Sequence, residues 1–349
     1  METGLNQTIK KTTSRFQSRL GPHLIGLIVM WILSTSVLMW MPLHDVRYNG
    51  AYYTERLWLQ AAYVAAMCWY LIRSGSSLAR LLDVRPILLR NSVVGRWIPA
   101  VLIALLFVEV ITNDSGILLL VVIAALIWLL VAWRAEIRMR LLVQGLILSL
   151  VALLAGLPFR LNNYISEFLF TFMVVITPLM YIAGSLLISR TDLGCSKLHS
   201  GRYLDALKSF LKDCLIFFPL GLFNAASGSF ASGVGWVNKL WIPVTMPFYS
   251  GITEEIVFRL FLIGLIYFLL RLAFRKIPVL AVILAILFSD ITFGMGHNGS
   301  FFDKFFISGL LFGLPLALNF NKRDVEHAIG GHYMINMIPT ILAFMETLK

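Results

Sequence analysis

At 349 residues, with 59% hydrophobic and only 13% charged side chains, the chain carries more apolar surface than a soluble domain can bury, and a mean hydropathy of +0.83 marks a polytopic helical membrane protein. A net charge of +11 would suit a nucleic-acid binder, but the basic residues sit in short loops between apolar runs; that is a pattern of membrane topology, and no nucleic-acid partner is expected. Cys68, Cys195 and Cys214 are widely separated and form no CxxC pair, so neither a disulfide framework nor a cysteine-based zinc site is indicated.

Met1–Leu20 is polar and basic, and the first apolar stretch is long enough to span and stay, so no cleavable signal is expected. Eleven apolar segments follow, at about 23–43, 57–72, 97–113, 116–133, 141–158, 167–189, 213–224, 242–270, 278–296, 304–320 and 328–346. Most reach the ~17–25 residues a span needs. Segment 213–224 is short and contains Pro219, which leaves 9–11 spans as the expected range. If all eleven cross and the N-terminus is inside, 22 Lys and Arg fall on the inner side and six on the outer, with Arg259 in the membrane. This bias predicts an all-α transmembrane bundle with its N-terminus in and its C-terminus out. Glu109, beside Thr112-Asn113-Asp114, is expected at the interface.

The chain shows no internal repeat, but its composition shifts near residue 241. Ionisable residues are sparse inside the earlier segments and then cluster as Glu254, Glu255, Arg259, Asp290, His297 and His332. The expected division is a multi-pass membrane region, 1–240, and a catalytic core, 241–349. Three charges at 254, 255 and 259 would cost about 8–10 kcal/mol uncompensated, at roughly 2.5–3.5 kcal/mol each. Arg259 lies one turn after Glu255 and is its natural partner, which leaves Glu254 without one. Phe293 and His297 are also one turn apart, as are His332 and Asn336, so each pair shares a helix face.

Glu-Glu-x-x-x-Arg, Phe-x-x-x-His and His-x-x-x-Asn, in that order on successive apolar segments over about 240–346, resemble the CAAX prenyl protease and bacteriocin-processing (CPBP, or Abi) family of intramembrane proteases, which includes lysostaphin-resistance-like proteins. Phe258 and the Gly309-x-x-x-Gly313 pair also fit the family. Leu260 stands where the family often has Gly, Gly330-Gly331 precede the third motif in place of bulky apolar residues, and Asp290 is unusual. These departures bear on the shape of the substrate.

Peptide hydrolysis needs an activated water, an oxyanion stabiliser and a proton for the leaving amine. Glu254 is the candidate general base, with His297 sharing the water; the resemblance implies the same two roles. It also implies that His332 and Asn336 stabilise the oxyanion. Glu255 with Arg259 reads as a structural ion pair, and Asp290 and Phe293 lie on the stripe of His297. Gly309 and Gly313 read as helix packing. Zinc held by Glu254, His297 and His332 is the mechanistic alternative, although no HExxH is present. The expectation is an intramembrane endopeptidase, of glutamate or metalloprotease type, in a cell membrane, that of a prokaryote. Its partners would be membrane lipid and a membrane-bound or lipid-anchored (CAAX-like) peptide substrate. A catalytically silent scaffold or bacteriocin-immunity protein is the alternative, and an ion- or proton-coupled transporter is a third; a transporter would usually show repeated halves. Glu254 approached from the outer end of its segment and His332 from the inner end of its own can meet only near mid-bilayer.

Overall fold

The computed structural model describes residues 25–34, 36, 58–67, 70 and 115–348, apart from 163, 164, 192, 227–236, 238, 275, 276, 298 and 299. Among them every regular element is helical and there is no strand. The helices are α1 (Ile25–Ser34), α2 (58–67), α3 (Ser115–Ala132), α4 (Met139–Leu161), α5 (Glu167–Thr191), α6 (Tyr203–Ile216) and α7 (Phe218–Ala226). Then come α8 (Trp241–Thr245), α9 (Pro247–Glu254), α10 (Gly264–Ala273), α11 (Pro278–Met295), α12 (Leu314–Lys322) and α13 (Val325–Glu346). Two π-helical stretches, Glu255–Ile263 and Asp303–Gly313, run directly into α10 and α12.

Five described helices are long and apolar enough to cross a membrane: Met139–Leu161, Leu169–Thr191, Pro278–Met295, Asp303–Lys322 and Val325–Glu346. They coincide with the expected segments 141–158, 167–189, 278–296, 304–320 and 328–346. Segment 97–113, with Glu109, lies outside the described residues. Segment 213–224 is the second half of a longer helical run, α6 and α7, which meet at Phe217. Hydropathy misses its first half because Asp205, Lys208, Ser209 and Lys212 make it polar. Segment 242–270 is helical but broken. Pro247 opens α9 and has no N–H to offer the carbonyl of Pro243. The Thr340 hydroxyl on α13 lies 3.3 Å from that carbonyl, and nearer, at 3.0 and 2.9 Å, to the Asn336 and Met337 carbonyls of its own helix.

Helices α6–α7 and α13 run parallel in close contact. A Cβ at Gly330 would overlap the backbone of Phe210, and one at Gly221 would meet the Met334 carbonyl at 2.6 Å. Helices α8 and α9 pack against α13 in the antiparallel sense, with Gly251 of α9 beside Ile329 and the carbonyl of Val244 of α8 accepting from the Tyr333 hydroxyl. These approaches place the start of α9's last turn level with the second turn of α13. That is the position at which residues 254 and 332 meet.

The basic loops gather at one end. Arg190 pairs with Glu136, Arg140 donates to the His199 carbonyl, and Arg271 donates to the Arg190 carbonyl. The loop 193–202 is clamped beneath α6 and α13 by a buried polar network. Asp324 caps α13 by accepting from the His327 amide at 2.9 Å and pairs with Lys197 at 2.9 Å. Arg323 and Asn319 donate to Asp213, and Ser196 and the Lys197 and Leu198 amides donate to Glu326. Burial alone would raise the Asp324 carboxyl, but its hydrogen bonds with His327 and Lys197 outweigh that and hold it below the usual aspartate range.

Candidate active site

The site begins on α9, where Ser250 and Glu254 lie one turn apart on the face toward α13. The π-helical stretch that follows carries Glu255 and Arg259. A wider π turn is commonly found at functional sites because it re-aims side chains that an α-helix would hold in register. Here it turns Glu255 and Arg259 fully inward, both with no exposure, and they pair at 3.3 Å through Arg259 Nε and Glu255 Oε2. The expected Glu255–Arg259 pair is therefore present.

Arg259 has a second anionic neighbour, Asp290 on α11, at 3.2 Å from Nη1. Ser289 Oγ lies 3.4 Å from Nη1 and donates to the Phe258 carbonyl at 2.8 Å. The Gly313 carbonyl accepts from Nη2 at 3.3 Å. Close packing of α11 on the second π-helical stretch makes this geometry available. A Cβ at Gly309 would sit 3.0 Å from the Asp290 carbonyl, and one at Gly313 would sit 3.3 Å from Asp290 Oδ1. The Gly309–Gly313 pair is a helix-packing surface, as its spacing suggested.

His332 lies opposite the two glutamates. Its Nδ1–H donates to Glu255 Oε1 at 2.7 Å, and its Nε2 faces Glu254 Oε2 at 3.7 Å. His332 is buried, whereas the Glu254 side chain is 24% exposed. One turn on, Asn336 Nδ2 donates to Ser250 Oγ at 2.7 Å. Phe293 is the packing centre of the site. Its ring lies 5.9 Å from that of His332, 4.7 Å from that of His297 and 5.4 Å from that of Phe258, with the Arg259 guanidinium 4.7 Å from its centroid.

Glu254, Glu255, Arg259, Asp290, Phe293, His332 and Asn336 are thus brought together directly. His297 joins them through the Phe293 ring. It lies just past the end of α11, is exposed, and its Nδ1–H donates to the Phe293 carbonyl at 2.8 Å. That bond makes Nε2 the acceptor nitrogen of the neutral ring. Sequence reasoning did not single out Ser250 or Ser289. Their only signals were position: Ser250 four residues before Glu254, and Ser289 beside Asp290.

The three candidate zinc ligands do not form a metal site. Among the described residues no three His, Cys, Asp or Glu side chains converge to hold a metal ion. His332 Nε2 faces Glu254, and His297 meets the cluster by its ring.

Comparison with known families places this constellation. Residues 236–338 match the model of the family described as type II CAAX prenyl endopeptidase Rce1-like. This segment is an Rce1-like domain. The match spans Glu254, Arg259, Asp290, His297, His332 and Asn336, so the Rce1-like domain contains every side chain of the site. It indicates a peptidase, and with the five long apolar helices it points to an integral membrane protein. No curated protein and no solved structure matches the chain.

Proposed function

We propose that the protein is an intramembrane endopeptidase that hydrolyses a peptide bond in a membrane-associated or lipid-anchored substrate, with Glu254 activating the water. The observation that carries this reading is the facing pair of Glu254 and His332. They stand 3.7 Å apart, and the far nitrogen of the imidazole is fixed by Glu255. At that separation one oxygen can be hydrogen-bonded to both groups at once.

Glu254 takes a proton from water, and the hydroxide attacks the carbonyl carbon. His297 Nε2 contributes a second acceptor toward the water as substrate enters. The oxyanion is taken up by His332, as an imidazolium donating from Nε2, and by an N–H of Asn336 on the same face of α13. Glu254 then gives its proton to the leaving nitrogen as the C–N bond breaks. Glu255 and Ser250 hold His332 and Asn336 in place. The inner end of the molecule is the one bearing Arg134, Arg138, Arg140, Arg190, Lys197 and Arg202, in keeping with the positive-inside bias.

The test is cleavage of a fluorogenic prenylated CAAX peptide and of a membrane-extract peptide pool by the purified protein. Wild type is expected to cleave at least one of them. Glu254→Gln is expected to cleave neither, and a chelator is expected to leave the wild-type rate unchanged. Full activity in Glu254→Gln would overturn the role given to that residue. Loss on chelation would replace the mechanism with a metal-dependent one. A folded but inactive wild type would favour the scaffold reading.

A further inference from the structure

Asp290 is an unexplained charge. It is fully buried, and neither carboxylate oxygen makes a hydrogen bond among the described residues. Its counter-ion is Arg259, which already has one carboxylate of its own in Glu255. An apolar side chain of similar size would generally be no less stable at such a place, because burying a carboxylate costs more than its pairing usually returns. Two buried carboxylates, Glu255 and Asp290, face one guanidinium, so Arg259 by itself does not balance them. Among the described residues, Ser289 Oγ accepts from Arg259 Nη1, and His332 is bonded to Glu255 Oε1.

We propose that Asp290 is a positioning residue which shares the charge of Arg259 so that Glu255 can keep one oxygen on Arg259 and the other on His332. The geometry divides the work atom by atom. Arg259 Nε takes Glu255 Oε2 at 3.3 Å, Arg259 Nη1 takes Asp290 Oδ1 at 3.2 Å, and Glu255 Oε1 is left for His332 Nδ1 at 2.7 Å. Without Asp290, the fork of Arg259 would draw both oxygens of Glu255, since guanidinium and carboxylate favour two parallel bonds. His332 would then lose the partner that fixes its ring and its tautomer. Gly313 is part of the device. Its missing side chain leaves room for Asp290 Oδ1, and its carbonyl takes the Nη2 that Asp290 does not reach.

This inference rests on the peptidase reading for its kinetic consequence but not for its structural one, and the experiment separates the two. The full-length protein, labelled with 15N-histidine, would be compared as wild type, Asp290→Asn and Gly313→Ala, with His332→Gln used to assign the His332 signals. In wild type, His332 should show a single Nδ1-bonded signature. In Asp290→Asn it should shift or split, and Gly313→Ala, which crowds the carboxylate without removing it, should shift it in the same direction. An unchanged His332 signature in either folded variant overturns the proposal, whether or not any substrate is cleaved. On the fluorogenic prenylated peptide, Asp290→Asn should lower kcat about tenfold or more with KM within about twofold. Added to Glu255→Gln it should bring no further loss, because both act on His332 through the same bond. Losses that multiply would overturn the proposal. A wild type that cleaves nothing would instead overturn the peptidase reading, and the histidine spectra would still decide the role of Asp290.

Discussion

Glu254 and Arg259 are both charged residues of the same motif, yet removing them should have opposite kinds of effect. Glu254 is partly exposed and faces His332 with no Lys or Arg partner among the described residues, so Glu254→Gln should fold normally. Its kcat should fall by about a thousandfold, within the range that a positioned general base supplies, as measured by peptide cleavage beside a thermal melt. Arg259 is fully buried between Glu255 and Asp290. Replacing it by Met leaves two uncompensated carboxylates in the interior, which should cost about 3–5 kcal/mol. The expected outcome is loss of folded protein in size-exclusion chromatography rather than a folded, inactive enzyme. Asp324, in the loop network, offers a pH test. Its carboxyl is held below the ordinary aspartate range by His327 and Lys197, so its stabilisation is fully present above pH about 4 and is lost as pH falls through the lower folded value. Asp324→Asn should therefore lower the melting temperature by the same amount at pH 7 and pH 5. The deficit should shrink only below about pH 4.

At the scale of helices, contact between α13 and its neighbours decides whether the site exists. Gly330 touches the backbone of Phe210, and backbone cannot step aside as a flexible side chain can. Gly330→Ala should destabilise the protein by roughly 1–3 kcal/mol, the usual cost of overpacking. It should also lower kcat, because α13 carries His332 and Asn336 two and six residues further along. A melt and a cleavage assay on the same preparation check both. An unchanged melting temperature would mean that the two helices are not in close contact. The prolines of α8 and α9 act at the same scale. Pro247 leaves the Pro243 carbonyl without a helical donor, and the Thr340 hydroxyl on the far half of α13 comes within 3.3 Å of it. Gly330-Gly331, a departure from the family pattern in the sequence, is explained here by Phe210 and Phe217, which fill the space that bulkier residues would occupy.

For the molecule as a whole, the prediction concerns its two ends. Contacts among 134–140, 190–202, 271 and 322–326 bring those loops to one end, which the proposed topology, from the positive-inside bias, puts on the cytoplasmic side. Single cysteines placed at Arg138 and at Lys239, in a cysteine-free background, should label from opposite sides of the membrane, Lys239→Cys from outside. Labelling of both from the same side would invert or break the proposed topology.

The sequence by itself determined the class of fold and pointed to most of the side chains that the structure brings together. Apolar runs of span length admit only helices in a bilayer, and helix periodicity puts Glu255 with Arg259, Phe293 with His297 and His332 with Asn336 on common faces. Each of those is a relation within one helix, fixed by a rise and a turn that every α-helix shares. Only the tertiary structure decided which face meets which. That Glu254 faces His332, that Asp290 is a second partner for Arg259, that Ser250 holds Asn336, and that His297 enters through Phe293 are relations between helices. They depend on where glycines let backbones approach and where a proline or a π turn shifts the register. The burial of Asp213 and Ser209 is likewise a relation between elements: Asn319 and Arg323 donate to Asp213, and Ser209 donates to Asp324.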